Sequence, residues 1–176
     1  GDIESFNPNF VEIRPRSNRK NSRMFPATKN EAIAASAVRL SNLGPVMIFT
    51  GQARWVSSMA AHVLRALGND KQRYPWPSHE WNIFESVCNE ELEPDSIELE
   101  AARFGVICHS NRLTTQVRLT MEVLMRSYPP RIIIATTTLA QGVNVGVTSV
   151  IVASPYIGEK DRINKRDFWN ICGRAG

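Results

Sequence analysis

The chain is predicted to be an α/β protein, with a parallel sheet and helices on both of its faces. Two observations carry this. Four short apolar runs, Val46 to Phe49, Val106 to Cys108, Ile132 to Ala135 and Val150 to Ala153, are continuous rather than alternating. A strand buried on both sides has that pattern, because neither face meets water. Segments with helical spacing stand between the runs, and such alternation leads to right-handed crossovers that place helices on the two faces. In folds of this kind ligands sit at the carboxyl ends of the strands.

Each element has a local cause. Residues 1–27 hold Pro8, Pro15, Pro26 and the basic run Arg14 to Arg23, and read as a linker or lead-in segment ahead of a domain at 28–176. The arginines of that run suit either phosphate contact or a solvated linker. Thr28 followed by Glu31 has the capping-box form, so an alanine-rich helix is expected to about Asn42, where Gly44-Pro45 stops it. After the strand at 46–49, a helix buries Val56, Met59, Ala60, Val63, Leu64 and Leu67, and Gly68 closes it. Residues 69–103 are the least legible stretch. Tyr74-Pro75-Trp76-Pro77 is a rigid loop there, Trp81 to Leu92 a helix and Ile97 to Phe104 an acidic helix. The helix expected at Thr115 to Tyr128 buries Val117, Met121, Leu124, Met125 and Tyr128, and Pro129-Pro130 ends it. Lys165 to Cys172 forms the last helix.

Composition narrows the function classes. Of 176 residues, 43% are hydrophobic and 22% charged, values ordinary for a globular domain. No apolar run approaches the roughly 18 residues of a membrane span, and Gly1 to Asn30 is polar, with none of the core of a signal peptide. Cys88, Cys108 and Cys172 are odd in number and match neither zinc nor disulfide spacing. A cytoplasmic setting, or the nucleoid or nucleus, is therefore expected, with no metal site in this chain. A net charge of +4 is compatible with nucleic acid without requiring it.

Two segments carry chemistry. Ala135-Thr136-Thr137-Thr138-Leu139-Ala140-Gln141-Gly142-Val143-Asn144 follows the run Ile132-Ile133-Ile134, and Asn170-Ile171-Cys172-Gly173-Arg174-Ala175-Gly176 ends the sequence. Hydroxyl side chains and N–H groups at a strand end suit phosphate oxygens without reading bases; a threonine there also suits a helix cap. Together the two segments resemble motifs V and VI of the second RecA-like domain of superfamily 2 helicases of the DEAD/DEAH-box type. The superkiller-like branch, with A-T-S-T-L-A-x-G-V-N and Q-x-x-G-R-A-G-R, is the nearest. Val46 to Gln52 stands where motif IV belongs. Gly105-Val106-Ile107-Cys108-His109-Ser110 is similar to the family's G-V-x-x-H-H, and Arg118 lies in the next helix, where the family also carries an arginine. The resemblance spans about residues 45–176.

That resemblance implies a RecA-like, P-loop NTPase-type sheet in the C-terminal motor domain of an ATP-dependent helicase or translocase. Thr136 and Thr137 would contact the backbone of single-stranded DNA or RNA. His109 would do so as well, although the position equally suits a strand-end histidine closing a loop. Arg112 and Arg118 would flank the strand or simply solvate a helix. Gly142, Asn144, Asn170 and Gly173 would lie against ATP. Arg174 would be the arginine finger, a device worth roughly 10³–10⁵ in phosphoryl transfer. Trp55, Trp76 and Trp81 could stack bases, and Trp169 would pack between domains or in the core. There are departures: Asn170 replaces the usual Gln, and Gln141 stands where the family often has Trp or Arg.

No Gly-x-x-x-x-Gly-Lys-Ser/Thr and no Asp-Glu-x-His or Asp-Glu-Ala-Asp occurs, so the Walker A cradle is lacking. By resemblance ATP and Mg2+ are held mainly by a preceding N-terminal RecA-like domain. The second motif VI arginine would be residue 177, so a piece of a longer protein is expected, inactive alone. The alternative is a helicase-like scaffold that binds nucleic acid or protein without ATP turnover.

Overall fold

The computed structural model describes residues 14–15, 24–69, 71–136, 146–157 and 161–173. Its centre is a four-stranded sheet in which every neighbouring pair is parallel, in the order β4-β5-β3-β6. The strands are β3 (Val46–Phe49), β4 (Val106–His109), β5 (Ile132–Ala135) and β6 (Ser149–Val152). A separate two-residue antiparallel ladder joins β1 (Arg14–Pro15) to β2 (Met24–Phe25), so part of the expected linker is paired.

The helices are α1 (Lys29–Leu40), α2 (Arg54–Leu67), α3 (Ser78–Glu91), α4 (Ile97–Ala102), α5 (Thr115–Ser127) and α6 (Lys165–Cys172). Short polar side chains begin four of them. Thr28, Ser96, Thr114 and Asn164 each accept a backbone N–H three residues on, which satisfies a donor the helix leaves open. Glu31 completes the first cap by an unexpected route. Its carboxylate accepts from the Ala27 N–H at 2.8 Å and from Arg65 at 3.2 Å.

The side-chain period of the strands divides the core in two. Met47, Phe49, Ile107, Ile133 and Ala135 meet Phe84 and Cys88 of α3 and Val117, Met121 and Leu124 of α5. Val46, Ile48, Val106, Cys108, Ile132 and Ile134 meet Ala34 and Ala37 of α1 and Val56, Met59 and Val63 of α2. Both faces are covered, as the continuous apolar runs predict, and each Val, Ile, Leu, Met or Phe among these contributes about 1.5–3 kcal/mol by leaving water.

Three expectations need correction. Tyr128 is 39% exposed rather than buried, because α5 ends at Ser127 and its ring turns to meet Tyr74 and Trp76. Trp76 cannot stack a base: it is buried, with its Nε1 donating to the Ala102 carbonyl at 2.7 Å. Of the two places expected for Trp169, the core is excluded: the ring is 61% exposed, since α6 buries only Ile171. Among the described residues no helix is long and apolar enough to cross a membrane.

Candidate functional site at the carboxyl edge of the sheet

Register brings the strand ends into line. Phe49 is paired with both Ala135 and Val152, and Ala135 also with His109. The residues that follow, Thr50, Ser110, Thr136 and Ala153, therefore share one edge. Among the described residues the buried polar side chains are Glu31, Thr50, His109, Ser110 and Thr136. Three of these five, Thr50, Ser110 and Thr136, sit at this edge, and His109 is the last residue of β4 just beneath it. Buried polar groups cost free energy unless they are bonded, and their concentration here makes this edge the candidate site.

Local bonding fixes the edge. The Thr50 N–H donates to the Ala135 carbonyl at 3.0 Å, and its hydroxyl to the Gln52 carbonyl at 3.2 Å. Gly51 turns the chain at φ 74, and a Cβ there would strike the Tyr156 carbonyl. The β3–α2 turn thus lies directly against the segment after β6. Tyr156 of that segment pairs with Arg162, ahead of α6, in an isolated antiparallel bridge. Lys29 ties α1 to the same end, its Nζ donating to the Ala153 carbonyl at 2.8 Å.

His109 lies beneath the edge rather than on it, only 2% exposed. Its Nε2 is 3.3 Å from a Glu122 carboxylate oxygen, and its buried Nδ1 has no partner among the described residues. Burial lowers its pKa below 6.5, against the opposing effect of Glu122 and with help from the positive charge of Arg118. The ring is therefore neutral at neutral pH. Since a carboxylate only accepts, Nε2 carries the proton and Nδ1 is left as an acceptor. A phosphate oxygen cannot donate to it, so in this arrangement the donor of His109 already serves Glu122.

The other expected residues divide. Thr136 is buried at the end of β5. Arg112 is exposed in the turn after β4, its N–H donating to the Ser110 hydroxyl at 3.4 Å. Asn170 and Gly173 are exposed on and just after α6, beside Phe168 and Trp169, whose rings meet edge to face at 6.0 Å. Thr137, Gly142, Asn144 and Arg174 lie outside the described residues. Two residues were missed. Thr50 follows an apolar run just as Thr136 does, so the same signal could have found it. Glu122 stands thirteen positions from His109 and gives no signal in sequence. Among the described residues no group of His, Cys, Asp or Glu could hold a metal ion.

No family model matches the chain. It is 38% identical over 185 aligned positions to the Hachiman protein HamB of Bacillus cereus, an alignment that takes in all of this chain and 16% of that protein. It is 32% identical over 88 residues to Helicase POLQ-like of Caenorhabditis elegans, covering 50% of this chain and 9% of that one. With Helicase POLQ-like of Drosophila melanogaster it shares 34% over 73 residues, 42% of this chain and 7% of that one. The chain thus spans a small part of each relative's length. It is a helicase-related domain, and its sheet is consistent with a RecA-like fold.

Proposed function

We propose that this chain is the second RecA-like motor domain of a superfamily 2 helicase or translocase driven by ATP. The observation that carries the reading is the polar carboxyl edge, where Thr50, Ser110 and Thr136 end three adjacent parallel strands. That is where an open parallel sheet binds ligands. The relationship to proteins named as helicases supports the same reading.

In this proposal Thr136 and Thr137 offer hydroxyl and N–H donors to the phosphates of a single strand, and Arg112 adds charge beside them. Phosphate contacts of this kind position a strand without reading its sequence. His109 acts from beneath, holding the β4 end in place through Glu122. ATP with Mg2+, held mainly by a preceding domain, would supply the phosphoryl group whose hydrolysis drives movement. The donors this chain would turn toward it are the amides of Asn144 and Asn170, with Gly142 and Gly173 leaving room. Arg174 would place a guanidinium where negative charge develops in the transition state. Opening and closing of the cleft would then move the strand across the Thr136 edge.

The test is ATP hydrolysis by the full-length protein alone, with single-stranded DNA and with single-stranded RNA, beside its Arg174→Ala variant. Stimulation by one polymer, reduced roughly 10³–10⁵-fold in the variant, is the expected result and names the track. Nucleic-acid binding without hydrolysis under any condition would replace the motor with a scaffold.

A further inference from the structure

A cavity of about 190 Å3 lies between the loop before α3, the first turn of that helix, and Arg103. It sits at the other end of the sheet from the polar edge. The Tyr74 N–H donates to the Arg103 carbonyl at 2.8 Å and the Tyr74 hydroxyl to the Pro129 carbonyl at 2.7 Å, and both acceptors lie just ahead of β4 and β5. Four-residue strands hold the two ends roughly 13 Å apart.

Its lining combines two chemistries. Arg73 and Arg103 bring guanidinium groups, and Tyr74, Trp76 and Trp81 bring aromatic rings. Among the described residues the carboxylate bonded to this lining is Glu85, which takes Arg103 at 3.2 Å and the Trp81 Nε1 at 3.1 Å. Positive charge therefore remains in excess, and the buried Nε of Arg103 has no partner among the described residues. Ser78, which lines the cavity, opens α3, a helix that no side chain caps and whose first turn also carries Glu80, so the positive end of the helix dipole lies beside this space. The walls are already fixed. Tyr74 packs edge to face on Trp76 at 4.8 Å, and Gly105 leaves the tyrosine ring the room a Cβ would take. A site held in place before binding loses little freedom when it fills.

We propose that this cavity binds one nucleotide unit, its phosphate on Arg73, Arg103 and the α3 amides and its base against Trp81. Guanidinium forks match phosphate oxygens, and a base gains from stacking on an indole. The volume is below the roughly 300–1,000 Å3 of clefts that enclose a drug-sized ligand, so the cavity takes the phosphate and one face of the base while the rest of the nucleotide stays in solvent. The site is independent of the motor reading, because none of its residues belongs to the carboxyl edge.

The experiment is photolabelling of the full-length protein, with adducts located by mass spectrometry. One probe is 8-azido-AMP, for a free nucleotide. The other is a 5′-phosphorylated oligothymidylate, for a nucleotide within a strand. The expected adduct falls on residues 73–82 and drops about tenfold in Arg73→Glu, a change at an exposed side chain. Labelling by the first probe alone assigns the site to free nucleotide, and by the second alone to a strand. No adduct on 73–82 from either probe, an adduct unchanged in Arg73→Glu, or equal labelling by 8-azidoadenosine, which has no phosphate, would overturn the proposal.

Discussion

His109 Nε2 and Glu122 Oε1 lie 3.3 Å apart, and this pair fastens the carboxyl end of β4 to the middle of α5. Burial lowers the His109 pKa below its ordinary 6.5, so the unfolded chain takes up the proton more readily than the folded one. Stability from this group is full above about pH 6.5 and is lost as pH falls through the lowered folded value. The urea midpoint should therefore fall between about pH 7 and about pH 5, and fall less in His109→Gln. An equal fall in both proteins would assign the loss to other groups.

Glu122 should matter as an acceptor more than as a charge. Its side chain is 23% exposed and its second oxygen is 3.8 Å from Arg126, a contact worth little at the surface. Removing the carboxylate leaves a buried N–H on His109 unsatisfied, at a cost of about 1–3 kcal/mol. Glu122→Ala is expected to show that loss in urea unfolding at neutral pH, with Glu122→Gln retaining most of the stability. Equal losses would show that the charge is what counts.

At the edge itself, Thr136→Val keeps shape and removes the hydroxyl. If Thr136 serves a phosphate, the full-length protein should bind single strands about fivefold more weakly, the equivalent of about 1 kcal/mol. The loss should be the same for every base composition. Arg112→Ala should lower the salt slope of binding by about one. Fluorescence anisotropy over a salt series reads both, and a loss that depends on base composition would rule out a backbone contact.

The architecture was legible because the apolar runs report directly on burial. Short continuous runs at 46–49 and 132–135, flanked by Pro45 and Gly51 and by Pro129-Pro130, read as two-sided strands, and both core layers follow from their alternation. Helix starts were legible where a hydroxyl or amide caps the first turn, as at Thr28 and Thr114. The N-terminus of α3 was not, since Pro77 precedes it and no side chain caps it. The site was half legible. A threonine after a strand is a local pattern, whereas the His109–Glu122 pair depends on how α5 packs against β4, and no spacing encodes that. Tyr128 misled because helical spacing puts it on the buried face of α5, whereas the helix ends one residue before it.

Gly51 should be the least replaceable residue of the polar edge. Its φ of 74 is a conformation that L side chains rarely adopt, and a Cβ would meet the Tyr156 backbone carbonyl. Backbone cannot swing aside as a side chain can, so the loop after β6 must move or the turn must deform. The left-handed conformation alone costs roughly 1–2 kcal/mol, and the clash adds to it. Gly51→Ala should therefore destabilise the chain by about 2 kcal/mol or more, read as a lower thermal midpoint. Gly146→Ala is the control, because a Cβ there meets nothing within 4 Å among the described residues and its φ lies outside the left-handed range. That change should be neutral, or stabilising by about 0.4–1 kcal/mol through the unfolded chain. Equal effects at the two positions would mean that the close approach of the β3–α2 turn to Tyr156 does not hold the edge together.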